Sequence, residues 1–430
     1  MTGHMKRTVS LILSAIVLLT SCEMISVITD PIDVKFPEPE EAITKVSLDT
    51  KQQGYVQAGN GMAFRFLEKM YEGDNLILSP FSLQFALAMA GNGASGQTLQ
   101  EIIDFLGYGA DGIDALNAYC KTMLEQLPAV DLDVTLKLTD ALLVNDRYPL
   151  LDSFTKTVKE SYYAAVANMD FSSPAMVAAR INDWASRSTN GFIDKVIESS
   201  EISDDAVAFI MNALYFKAKW AGTEFDPMFM EESTKQESFK LANGTSRTVP
   251  MMNTVDYLKY AEMDGYRVVA IPYAGYKYYM YIILPDKNDL DGLMKKLPGI
   301  SLESIRSNFK NDAEVYLKLP KFDIENKFTL NDALMSLGLN KPFSPTAAEF
   351  DRMFKDSGNF WIGKILQKAK ISVTEWGTEA AAVTVELMCG SAGPGQEPKR
   401  VYFYADHPFV FLIGEATSGA ILFEGTYTGK

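Results

Sequence analysis

The chain predicts an α+β fold. Three observations carry that expectation: helical periodicity dominates from Asn60 to about Tyr162, β-type runs take over from Ala206 onward, and no repeating βαβ unit or other internal repeat intervenes. At 430 residues, 47% hydrophobic and 22% charged, the composition is that of an ordinary globular chain with material for a large core.

The first element is an address. Met5-Lys6-Arg7, an apolar stretch from Val9 to Leu19, and Leu19-Thr20-Ser21-Cys22 read as a signal peptide over residues 1–21 ending at a lipidated Cys22. A soluble signal peptide cleaved elsewhere is the other reading. The apolar stretch falls short of the roughly 20 residues that span a bilayer. The expected product is a bacterial lipoprotein anchored to the outer membrane, periplasmic or cell-surface, touching the membrane only through its lipid. Residues 22–54, rich in Pro and Glu (Asp30-Pro31, Phe36-Pro37-Glu38-Pro39), read as a flexible tether. From Cys22 to Ser47 it reaches at most about 85 to 95 Å. Residues 55–430 then form one domain.

Within that domain Phe64, Leu67 and Tyr71 space the apolar face of a first helix. Ser79-Pro80 opens a second, running to Ala90, with serine as cap and proline in the first turn. Further helices follow. The β-type runs are Ala206 to Lys217, Ser246 to Met252, Tyr266 to Tyr273, Tyr278 to Leu284 and Val315 to Phe322. Near the end stands Glu375-Trp376-Gly377-Thr378-Glu379-Ala380-Ala381-Ala382-Val383-Thr384-Val385. Its small side chains lose little rotamer freedom on ordering, so they suit a strand slipped between others. Thr-Glu-Ala-Ala-Ala is equally a good helix start.

Charge and residue counts exclude whole classes of function. The net charge of −15 becomes −17 without residues 1–21, which hold Lys6 and Arg7 and no acid. Such acidity argues against nucleic-acid binding. Cys22 apart, the cysteines are Cys120, in a helical pattern, and Cys389, in the segment that follows the small-residue run; two such residues make no disulfide framework and are read as free thiols. Only His407 outlasts signal removal, so a Ser/His/Asp triad, a Cys389–His407 pair or a histidine-rich metal site would rest on one ring. No enzyme, metal or cofactor is expected. Gly91-Asn-Gly93-Ala-Ser-Gly96 matches a dinucleotide pattern but follows a helix, and reads as a turn. Asn243-Gly-Thr245 reads as a hairpin turn.

Several widely spaced motifs resemble the serpin family. They are Asn75-Leu-Ile-Leu-Ser79-Pro80-Phe-Ser82 with Leu87, Gly93 and Thr98; Ile181-Asn182-Asp183-Trp184 with Thr189-Asn190-Gly191-Phe192-Ile193; and Asn212-Ala-Leu-Tyr-Phe-Lys217-Ala-Lys-Trp220. Val249-Pro-Met-Met252, Leu319-Pro-Lys321-Phe322 and Ala405-Asp-His-Pro-Phe409 complete the series in family order, over about residues 55 to 428. The run from Glu375 resembles the serpin hinge. The resemblance implies a large central mixed sheet, further antiparallel sheets, an exposed reactive-centre loop at about 377–400, and a monomer. It implies a hinge of Glu375, Gly377, Thr378, Glu379, Ala380, Ala381 and Ala382. Lys321 would pair with Glu375 beneath Trp220 at the top of the sheet. Ser79, Ser82 and Asn212 would hold strands together at its centre, where Gln367 replaces the usual histidine and so removes that titratable switch.

The implied mechanism is suicide inhibition: a serine or cysteine protease cuts the loop, and the freed limb inserts as a new central strand of a metastable fold. Counted from the hinge, the bait bond is Ser391–Ala392, with Leu387, Met388 and Cys389 as alternatives, which favours an elastase-like or subtilisin-like target. Fourteen residues, 378–391, make about 46 Å of strand. Cutting after Arg400 would free 23 residues, about 76 Å, too long to pull taut and therefore substrate-like. Thr378, Ala380, Ala382 and Thr384 share one strand face, and if that face is the core, Glu386 follows them in. A buried carboxylate is costly. The alternative function is a non-inhibitory serpin, a binding or structural protein cut without trapping.

Overall fold

A computed structural model describes residue 32 and residues 39–203, 205–223, 226–356, 358–378 and 399–430. The front half carries α1 (Thr50–Met70), α2 (Pro80–Gly93), α3 (Gly96–Phe105), α4 (Gly112–Gln126), α5 (Asp152–Tyr162) and α6 (Pro174–Ser188). Three short helices follow: α7 (Leu290–Lys296), α8 (Leu302–Ser307) and α9 (Asn331–Ser336). Local chemistry sets the starts. Asp49 caps α1 in a reciprocal box with Gln52. Ser79 Oγ accepts the Ser82 N–H ahead of α2, whose nearly all-round apolar surface is buried. The Gly91–Gly96 pattern is the end of α2, a turn and the start of α3.

The strands among the described residues are β1 (Leu76–Leu78), β2 (Thr135–Asn145), β3 (Ala165–Met169), β4 (Ala208–Lys219), β5 (Lys235–Lys240), β6 (Ser246–Asp256), β7 (Lys259–Met263) and β8 (Tyr266–Pro272). After them come β9 (Tyr278–Pro285), β10 (Ala313–Pro320), β11 (Phe322–Thr329), β12 (Leu366–Thr374), β13 (Gly377–Thr378), β14 (Lys399–Tyr404), β15 (Phe409–Glu415) and β16 (Ile421–Tyr427). They form a main sheet ordered β11-β12-β13-β4-β2-β3, a second ordered β1-β16-β15-β9-β8-β7, and a third ordered β14-β10-β6-β5. The main sheet is mixed, since β3 runs parallel to β2 while the other pairs are antiparallel. Asn243–Thr245 turns the β5–β6 hairpin, with the Asn243 side chain accepting from Thr245.

The structure corrects three expectations. Thr135–Asn145 lies inside the span read as helical, yet it is β2. Leu136, Leu138, Leu142 and Val144 enter the inner core while Ala141 and Leu143 meet α6 on the other face, and burial on both faces hides twofold spacing. The run Val315 to Phe322 is two strands, parted at Lys321. The tether is shorter than 22–54: α1 begins at Thr50, Val46 is buried, and the Ile43 N–H donates to the Ala129 carbonyl at 2.8 Å. Ile32 packs against the α6 cluster, and its carbonyl accepts from Arg187 at 3.0 Å.

One core residue is out of keeping. Glu424 on β16 is fully buried, and neither carboxylate oxygen has a hydrogen-bond partner among the described residues. Burial pushes its pKa well above the ordinary range. Its folded value is raised, so its stabilising share is present below the unfolded carboxylate pKa of about 4.3 and is lost as pH rises. Glu424→Met is expected to stabilise the fold by about 1–3 kcal/mol at neutral pH and to flatten the dependence of Tm on pH. Calorimetric scans of both chains between pH 4 and 8 check this, and a lower Tm for the variant contradicts it.

Candidate functional site

The residues singled out along the sequence meet at two levels of the main sheet. At its upper end Trp220 follows β4, and its indole N–H donates to the Thr374 carbonyl at 2.8 Å. Its ring stacks on Tyr273 with centroids 4.6 Å apart. Beside them the Lys321 ammonium lies 2.7 Å from Glu375, whose other oxygen accepts from the Thr234 hydroxyl at 2.6 Å. Burial alone would raise the Glu375 pKa, but the Lys321 and Thr234 hydrogen bonds outweigh it and hold the carboxyl below its ordinary value. The pair therefore stabilises the fold above the unfolded carboxylate pKa and loses that effect as pH falls through the folded value.

Lys321→Met leaves Glu375 buried without a cation. The expected loss is about 1–3 kcal/mol, less than for a wholly buried pair because the Lys321 side chain is 35% exposed. A lower Tm near pH 7, with the gap to the parent closing toward pH 3, is the predicted result; a constant gap would tie the loss to packing alone.

The hinge starts inside the sheet. Gly377 and Thr378 form β13, placed between β12 and β4 and antiparallel to both, with Thr378 opposite Val373 on one side and Ala218 on the other. Thr378 is buried, and its hydroxyl meets the Tyr273 hydroxyl at 2.6 Å. Gly377 has φ +138°, and a Cβ there would stand 2.1 Å from the Ala218 carbonyl oxygen, so glycine is required. Beyond Thr378, β12 and β4 run on for several residues, and among the described residues they share no pairing. Lys399 and Arg400 belong to β14, paired parallel to β10.

At the centre of the sheet the polar contacts differ from the expected pattern. Gln367 accepts the Ser79 N–H at 3.0 Å and donates to the Ser79 carbonyl at 2.8 Å, fastening β12 to the start of α2, while the Ser79 hydroxyl donates to the Leu422 carbonyl at 3.0 Å. Ser82 is buried in the first turn of α2. Asn212 makes no hydrogen bond to Gln367 among the described residues. Its amide N–H instead donates to Asp140 Oδ1 on β2 at 2.6 Å. The sequence reading missed Asp140 because β2 was read as helix: Leu136 and Leu138 alternate at its start, but the unbroken apolar run Ala141 to Val144 hides the twofold spacing around Asp140. Thr234 and Tyr273 were missed because nothing local ties them to the hinge.

Glu379, Ala380, Ala381, Ala382, Leu387, Met388, Cys389, Ser391, Ala392 and Cys22 lie outside the described residues. His407 is buried, with Nδ1 2.8 Å from Asp406 and Nε2 2.8 Å from the Pro285 carbonyl, a structural placement at the head of β15.

Comparisons with known proteins agree on one family. The family profile described as Serpin (serine protease inhibitor) matches residues 57–429. An uncharacterized serpin-like protein of Thermococcus kodakarensis is 33% identical over 87% of this chain and 85% of its own. A leukocyte elastase inhibitor of Xenopus laevis is 31% identical over 82% of this chain and 93% of its own. Among solved structures, the native state of the thermophilic serpin tengpin superposes with TM-score 0.77 at 27% identity, covering 91% of this chain and 97% of that one. Serpins are generally protease inhibitors rather than enzymes. With the three-sheet architecture and a strand already begun between β12 and β4, the chain belongs to the serpin family.

Proposed function

We propose that this serpin is an inhibitory one: a protease cuts its loop, and the amino-side limb inserts between β12 and β4 before the acyl-enzyme is resolved. The two-residue strand β13 carries this reading, because it starts the inserted strand and sets its register. Continued in that register, Ala380 falls opposite Phe216 and Ile371, Ala382 opposite Leu214 and Ala369, and Thr384 opposite Asn212 and Gln367. Small side chains therefore meet the core first, and a hydroxyl arrives where two amides stand. β4 begins at Ala208, which falls opposite Met388 in this register, so cleavage near Ser391–Ala392 frees the length required.

The small residues Gly390-Ser391-Ala392 suit an elastase-like or subtilisin-like pocket, and the relative named for leukocyte elastase supports that class. The signal-like segment ending at Cys22 supports a lipid-anchored protein of the bacterial outer membrane, presented to proteases from outside the bilayer. Mixing the protein with elastase, subtilisin and trypsin tests the mechanism. The expected result is a complex that survives hot detergent with one of the first two, and simple cleavage with trypsin.

One observation favours the non-inhibitory reading. The same register puts Glu386 opposite Ile210 and Ile365, beside a mostly apolar pocket whose lining holds a single cation, Lys364, so the carboxylate is costly to bury unless that ammonium reaches it. Cleavage by all three proteases with neither complex nor gain in heat resistance would select that reading.

A further inference from the structure

Asp140 and Asn212 face each other directly across the antiparallel pair β2–β4, on the inner face of the sheet. Both are placed at the level where an inserting strand would pass. Their single hydrogen bond uses Asn212 Nδ2 and Asp140 Oδ1; Asp140 Oδ2 and Asn212 Oδ1 are buried with no partner among the described residues. A carboxylate and an amide oxygen cannot satisfy each other, because neither donates. One proton on Asp140 Oδ2 supplies the missing donor and turns the contact into a two-bond acid–amide pair. We propose that Asp140 and Asn212 form a proton-operated latch at the centre of the main sheet: protonation engages the Asn212 amide with β2, and deprotonation frees its oxygen for a donor on the incoming strand.

The surroundings isolate the latch. Cys120 on α4 and Tyr162 on α5 are the titratable groups facing Asp140, and burial raises both well above their ordinary values, so they stay neutral near pH 7. No ion pair reaches Asp140 among the described residues, and α2, packed against β4, carries no ionisable side chain. Burial pushes the Asp140 carboxyl up to about 7. The group whose change of charge matters thus titrates at neutral pH, on β2 rather than at Gln367. The inference rests on the strand-insertion reading.

The test uses the intact full-length protein and a synthetic peptide of residues 378–391 with alanine in place of Glu386, which removes protease chemistry and that carboxylate from the pH profile. Incorporation is followed by native electrophoresis from pH 5.5 to 8.5. The parent is expected to take up peptide about fivefold faster at pH 8.5 than at 5.5, the equivalent of one net hydrogen bond. Asp140→Asn gives an uncharged two-bond amide–amide pair that mimics the protonated state at every pH, and is expected to incorporate at the slow rate throughout. A parent rate that does not change with pH overturns the latch even if the variant fails to fold, and so does a variant that keeps the parent's profile. In both cases the insertion reading stands. Absence of peptide uptake at any pH overturns latch and insertion together.

Discussion

An Ala382→Pro variant is expected to be cut by elastase-like proteases as fast as the parent and to trap none of them. If the limb inserts in the register set by β13, residue 382 would lie between Leu214 of β4 and Ala369 of β12, in the middle of a central strand. Proline supplies no N–H to either neighbour, so it removes a ladder hydrogen bond and is excluded from central strands. Loop cleavage needs none of that pairing. The variant should therefore lose the detergent-stable complex completely, and its cleaved form should unfold at the temperature of the uncleaved one. Titrating a fixed amount of active protease with parent and variant reads the difference, and a trapped complex with the proline chain would refute strand insertion as the mechanism.

Glu386→Ala should act in the opposite direction. Thr378 is buried against Tyr273, so on insertion the parity of an extended strand would carry residue 386 to the same, core-facing side. On insertion it would meet Ile210 and Ile365, at the wall of a mostly apolar pocket that includes Phe350, Phe354 and Phe360 and the single cation Lys364. Burying an unpaired polar group costs about 1–3 kcal/mol on mutational scales, so alanine is expected to reduce about tenfold the number of inhibitor molecules consumed per protease trapped. The cleaved variant should also unfold at a higher temperature than the cleaved parent. An unchanged stoichiometry would mean that insertion stops short of residue 386 or that the carboxylate finds a partner there.

Much of the architecture was legible because it is written in local chemistry. Ser79 followed by Pro80 is a local helix-start signal, and the late β-branched and aromatic runs are local strand signals, which the fold then realises. The pairing of Lys321 with Glu375 beneath Trp220 was legible only through family resemblance, since 54 residues separate the two charges. Burial of β2 on both faces concealed the strand, and with it Asp140. The partner of Asn212 was invisible for the same reason. A side chain's hydrogen bond is chosen by which strand lies alongside, and that is a property of the sheet.

Residue type and spacing alone settled that the chain is α+β, that α2 is capped by Ser79, and that a stretch of small residues after Glu375 suits a strand as well as a helix. Tertiary structure decided between those two conformations for its first residues. Gly377 and Thr378 are strand because β12 and β4 leave N–H and C=O groups facing one another at that height, and a backbone segment between them satisfies both edges at once. Tertiary structure also decided where the sheet keeps a titratable group. Asp140 is an ordinary acid in the sequence, and its elevated pKa comes from burial beside an amide that solvates only one of its oxygens.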